Sequence, residues 1–124
     1  MILAQVRALA AVLMMLACAP RQARAEVKYL HFGLEDRNVT VTLNRGDTLS
    51  LGFYSLLSTG YSWTKREEQH VVLNFTGYNR QEAPPDNFMW NATAIHTGLD
   101  HLTFACGTPW SGVAQTVNLE IVCK

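Results

Sequence analysis

An all-β sandwich of seven or eight short strands is the fold this chain predicts, and three observations carry the prediction. Apolar and polar residues alternate at period two in one run after another, as strands with one buried face require. No stretch carries a helical apolar stripe with caps, which removes the crossover helices that a parallel α/β sheet needs. The density of runs, seven or eight in about a hundred residues, is that of a sandwich.

The first element is not part of that sandwich. Arg7 supplies a positive start, Ala8 to Ala19 an uninterrupted apolar stretch, and Pro20 a stop. Ala23-Arg24-Ala25 then has the small-x-small pattern of a cleavage site, so residues 1–25 read as a secretory signal and Glu26 as the mature start. The apolar stretch is shorter than the ~20 residues of a membrane-spanning helix, so no transmembrane span is expected in the mature chain. A second reading makes Cys18 a lipid attachment site, since Leu16-Ala17-Cys18 partly resembles a bacterial lipobox. Residues 26–124 form one domain, with no linker, repeat or low-complexity tract to divide them.

The strands follow in order. Val39, Val41 and Leu43 alternate with threonines, Asn44 to Asp47 is a turn, and Leu49, Leu51 and Phe53 alternate again; the two runs are expected to pair as a hairpin. Arg45-Gly46-Asp47 inside the turn is ordinary turn chemistry rather than an adhesion signal. Further strands are expected near residues 61–65, 71–78, 88–94, 101–106 and 116–122. Three segments remain as loops, Ser55–Gly60, Asn79–Asn87 and Gly107–Ala114, and alternate connections of a sandwich emerge at the same end. Clustered on a rigid scaffold, they are the natural binding surface.

Composition narrows the partner. Lys plus Arg equals Asp plus Glu at 10 each, so no basic face points to nucleic acid or an anionic membrane. Of three cysteines, Cys18 leaves with the signal. Cys106 is expected opposite about Val117, which puts Cys123 ~20 Å away at ~3.3 Å per residue, beyond the ~7 Å that a disulfide spans. Two buried thiols, both on the inward parity of their strands, are favoured over a Cys106–Cys123 bridge. Asn38, Asn74 and Asn91 each begin an Asn-x-Thr acceptor, which tilts toward a eukaryotic secretory pathway. An enzyme built on Cys106 with His31, His70, His96 or His101 would need an exposed thiolate and an oxyanion hole, and neither is legible. His96 and His101 lack a third ligand for a metal. No catalytic residue, metal or cofactor is expected.

Ser58-Thr59-Gly60-Tyr61-Ser62-Trp63 and Gly107-Thr108-Pro109-Trp110-Ser111-Gly112 remain to be explained. The first resembles the second half of the Asn-Pro-Thr-Thr-Gly-aromatic-x-Trp loop of the chagasin family, inhibitors of papain-like cysteine peptidases. The second is similar to that family's Arg-Pro-Trp signature, and the order and spacing match over nearly all of the mature chain. The resemblance implies an immunoglobulin-like β-sandwich and a secreted, reversible inhibitor, most simply a monomer, that wedges three loops into the cleft of a papain-like cysteine peptidase. It implies a peptidase-binding set of Leu57, Ser58, Thr59 and Gly60 in the first loop, Ala83, Pro84, Pro85 and Asp86 in the middle loop, and Thr108, Pro109 and Trp110 in the third. Ser58 and Thr59 would lie over the catalytic residues, Trp110 against an aromatic wall, and Trp63 in the core.

The chemistry of these residues stands beside the resemblance. Gly60 permits a positive φ and close backbone approach. Small hydroxyls fit a narrow cleft. Pro109 limits the freedom that Trp110 has left to lose on binding. The chain departs from the family in having Leu56-Leu57 for Asn-Pro, Thr108 for arginine, and Ala83-Pro84-Pro85-Asp86 where glycines are usual. A secreted immunoglobulin-like module that binds a non-peptidase protein or a glycan is the alternative reading.

Overall fold

The computed structural model describes residues 24–124, so the apolar stretch of the signal and the lipobox-like Leu16-Ala17-Cys18 lie outside the described residues. The described residues form eight strands: β1 Val27–Phe32, β2 Arg37–Leu43, β3 Thr48–Phe53, β4 Ser62–Lys65, β5 Leu73–Arg80, β6 Phe88–Ala94, β7 Gly98–Thr108 and β8 Gly112–Cys123. They make two four-stranded sheets, ordered β1-β3-β6-β5 and β2-β8-β7-β4. Among the described residues no helix is long and apolar enough to cross a membrane.

The sheets share one core. Phe53 of the first lies 4.8 Å from Trp63 and 4.6 Å from Phe104 of the second, ring centroid to centroid, and Trp90 reaches Phe104 at 5.0 Å. Offset aromatic packing of this kind adds to the area buried. Trp63 is fully buried, as expected, and its indole N–H donates to the Tyr54 carbonyl at 2.8 Å. The core thus holds the residue from which the first loop departs.

Two expectations about pairing are corrected. Strands β2 and β3 do not form a hairpin: β2 runs parallel to β8, while β3 pairs with β1 and β6 in the other sheet. Period-two alternation reports that each strand has a buried face, and two such faces are satisfied equally well across a sandwich as side by side. The Asn44–Asp47 turn is the crossing point. Asp47 is buried there, accepting N–H bonds from Asn44 at 2.8 Å and Glu26 at 2.9 Å, so the Arg-Gly-Asp sequence is a structural corner. The second correction concerns the β7–β8 ladder, which runs further than expected and carries a register shift after Cys106. Cys106 therefore lies opposite Gln115, not Val117, and Cys123 opposite Gly98. Among the described residues both cysteines are free and buried, as expected.

Strand β1 is an addition to the strands expected. Leu30 and Phe32 turn inward, but Val27, Tyr29 and His31 share the opposite face, and that mixture blurred the alternation.

Candidate functional site

The three loops leave from the last rung of each sheet. In one sheet Phe53 and Arg80 both pair with Phe88, which starts the first loop and bounds the middle loop on one rung. In the other, Ser62 pairs with Gly107 and Thr108 with Gly112, so the end of the first loop lies beside the third. The expected clustering follows from this register.

The first loop, 54–61, is wound into a 3-10 turn over Leu57–Thr59. Thr59 N–H donates to the Leu56 carbonyl at 3.0 Å, Gly60 N–H to that of Leu57 at 3.1 Å, and the Thr59 hydroxyl to Leu56 O at 2.6 Å. These bonds supply stiffness where the proline of the resembled family is missing. Gly60 ends the turn at φ 83°, in the left-handed region, as its position implied. The two leucines part ways: Leu57 is half-buried against the core and Leu56 is exposed. At the base, the Ser55 hydroxyl donates to Tyr61 O at 2.7 Å.

The middle loop, 81–87, is tied to the first by Asn87, a buried residue that the sequence reading missed. Its Oδ1 accepts from Ser55 N–H at 3.1 Å, its own N–H donates to Phe53 O at 3.0 Å, and its Nδ2 donates to the carbonyls of Gln81 and Glu82, both at 3.1 Å. One amide thus satisfies backbone groups of both loops, the complete accounting that buried polar atoms demand. The only sequence signal was a polar residue immediately before an alternating run. Ala83, Pro84 and Pro85 stand exposed at the loop tip. A cleft of about 250 Å³ separates the loops, lined in part by Leu56, Leu57, Ser58, Glu82 and Pro84.

The third segment is a tight turn, 109–111, because the strands on either side take up the rest of Gly107–Ala114. Trp110 is 75% exposed. Its benzo ring lies on Gly60, where an added Cβ would meet Cη2 at 2.5 Å. The first loop therefore touches the other two, and the three form one surface.

Of the residues expected to meet a partner, Ser58, Thr59, Gly60, Ala83, Pro84, Pro85, Pro109 and Trp110 are exposed on this surface. Asp86 and Thr108 are buried instead. Thr108 serves the turn: its Oγ1 is bonded to the Ser111 hydroxyl and accepts the Ser111 N–H at 3.0 Å. Asp86 faces the outside of the first sheet, where Tyr29 donates to its carboxylate and His31 Nδ1 lies at 2.6 Å. Cys106 is enclosed, and burial pushes its thiol up in pKa, eased only by the Ser55 hydroxyl. Among the described residues no group of three or more His, Cys, Asp or Glu is placed to hold a metal ion.

No protein-family model and no curated protein sequence matches this chain. Solved structures do. The crystal structure of EhICP2, a cysteine protease inhibitor from Entamoeba histolytica, superposes with a TM-score of 0.66 over 82% of this chain and 100% of its own, at 13% identity. PbICP-C, in complex with falcipain-2, gives 0.60 over 78% and 99% at 15% identity. The fold is chagasin-like. The solution structure of amebosin agrees, with a TM-score of 0.55 over 82% and 100% at 19% identity. Within this chagasin-like fold, the two sequence signatures around Gly60 and Trp110 meet in space.

Proposed function

We propose that the chain is a secreted, reversible inhibitor of papain-like cysteine peptidases that blocks the catalytic cleft with its three adjacent loops. The observation that carries this reading is the exposed Trp110 seated on Gly60, at the loop end of a chagasin-like fold. EhICP2 is a cysteine protease inhibitor with this fold, and PbICP-C is found in complex with falcipain-2, which supports a peptidase as partner.

In this mechanism Ser58 and Thr59 enter the cleft at the tip of the first loop, and Gly60 lets the backbone follow closely. Leu57–Thr59 is wound in a 3-10 turn closed by internal bonds, so it offers no extended strand for cleavage. Pro84 and Pro85 approach from one side and Trp110 from the other, where its large ring excludes water from the contact. Cys106 and the histidines of the chain play no catalytic part. The signal is removed after Ala25, and residues 26–124 act as a monomer in the extracellular space or a secretory or endolysosomal lumen.

The test is a titration of active-site-titrated papain-like peptidases with the purified protein. Stoichiometric inhibition that is relieved on dilution, with serine peptidases untouched, is the expected result. Full activity across such a panel in large molar excess would overturn the reading and leave a fold put to use on a non-peptidase protein or a glycan.

A further inference from the structure

The middle loop is held at two neighbouring residues. Asn87 ties it to the first loop and to the end of β3 through backbone groups. Asp86 takes the outer side of the first sheet, where it reaches back over β3 to the edge strand β1. Its Oδ2 accepts the Tyr29 hydroxyl, and its Oδ1 lies 2.6 Å from His31 Nδ1. Tyr29 and His31 are two apart on β1 and so share a face. Beneath the carboxylate lies Gly52, paired with His31 across the β1–β3 ladder. A Cβ on Gly52 would run into the Asp86 carboxyl group, with Oδ2 only 2.8 Å away, so the glycine is what leaves room for it. Burial, and then the Asp86 carboxylate, push the Tyr29 phenol up to about 12, which keeps it a donor throughout the physiological range.

We propose that Asp86 is a positioning residue: seated over Gly52 and held by Tyr29 and His31, it fixes the exposed Ala83–Pro85 tip at the height at which it meets the peptidase. This rests on the inhibitor reading and assigns Asp86 a role inside the molecule in place of a contact. A tip ordered before binding loses less conformational freedom on binding, so the anchor acts on affinity without touching the partner.

Four variants test it: Asp86→Ala, Tyr29→Phe, Gly52→Ala and the Gly52→Ala/Asp86→Ala pair. In the free protein, Asp86→Ala and Tyr29→Phe should speed hydrogen exchange of the Gln81 and Asn87 amides, which are bonded to Asn87 O and Phe53 O at the base of the loop, by about tenfold or more, with the β7–β8 ladder unchanged. Against papain, Asp86→Ala should raise the inhibition constant about 10- to 100-fold. It should raise it no further once Ala83–Pro85 has been replaced by three glycines. Gly52→Ala should expel the carboxyl group and lower both Tm and affinity, and the double variant should recover Tm but not affinity. Should Gly52→Ala fail to fold, Tyr29→Phe, which removes one hydroxyl from an edge strand, still decides the matter. Unchanged exchange in the loop overturns the anchor. Faster exchange with unchanged inhibition overturns its role in binding. Failure of the unaltered protein to inhibit any peptidase overturns the inhibitor reading and the peptidase role together, while the exchange measurement alone still decides whether Asp86 holds the loop.

Discussion

Trp110 lays the benzo edge of its indole on Gly60, close enough that a Cβ there would fall 2.5 Å from Cη2, yet 75% of the tryptophan remains exposed. A ring that merely capped the sandwich would be covered. Trp110→Ala should therefore leave the unfolding midpoint nearly unchanged and weaken inhibition by about 2–4 kcal/mol, roughly 30- to 1000-fold in the inhibition constant. Thermal unfolding and inhibition measured on one preparation separate the two roles, and a fall in Tm with affinity intact would refute the contact. Gly60→Ala should weaken inhibition as well, because it strains a left-handed residue by about 1 kcal/mol and displaces the ring.

The leucines of the first loop make a second test, because one is packed and the other is not. Leu57→Ala should cost about 1–2 kcal/mol of stability, as expected for a half-buried side chain. Leu56→Ala should cost almost none and act on inhibition alone. The double replacement Leu56→Asn with Leu57→Pro trades away the packed side chain for loop rigidity, so any gain in affinity should come with a lower Tm. Equal losses of unfolding free energy from the two alanine variants, read by chemical denaturation, would contradict this division.

His70 predicts a pH dependence. Among the described residues neither ring nitrogen has a hydrogen-bond partner, and the ring packs on Phe75 at 5.1 Å. Burial and then Lys65 lower its pKa, against the smaller opposing pull of Asp100, Glu68 and Glu67. With the folded pKa below the unfolded one, the unfolded chain binds the proton first. Stability should thus decline as the pH falls below about 6.5, the unfolded histidine value. His70→Phe keeps the packing and removes the titration, so its Tm should fall less between pH 7 and pH 5 than that of the unaltered protein. Identical slopes would show that His70 is not the source.

Asp100 carries a structural prediction. Its buried carboxylate accepts the N–H groups of Val71, Val72 and Leu73 at 2.8, 2.9 and 2.9 Å, which ties the start of β5 to β7. Asp100→Ala leaves three donors unsatisfied and should cost about 3 kcal/mol or more. A urea denaturation midpoint within error of the unaltered protein would refute it.

Asp47 adds an acid limit. The Glu26 and Asn44 N–H groups lower its pKa, outweighing burial. Its stabilising contribution is therefore present above the unfolded value of about 3.9 and is lost as the pH falls through the folded one. Asp47→Asn should flatten the acid end of the stability profile, measured as Tm from pH 5 to pH 2, and an unaltered acid limb would count against it.

What the sequence determined by itself is local. Alternation identified the inward parity of Cys106 and Cys123, because side chains on a strand must alternate whatever the strand pairs with. The loop at Ser58–Gly60 and the proline-tryptophan turn were legible because a glycine's positive φ and a proline's fixed one are properties of the residue. Pairing was not local, and only the tertiary structure decided it. Strand β2 lies beside β8 and not β3, since either arrangement buries the same faces and the choice is made by the whole sandwich. Likewise Asn87 and Asp86 look like any polar loop residues until the backbone groups of the neighbouring loop and the open space above Gly52 are in place around them. The same cause divides Leu56 from Leu57: identical side chains, adjacent in sequence, are sent to solvent and to the core by a turn whose direction is set by what it rests on.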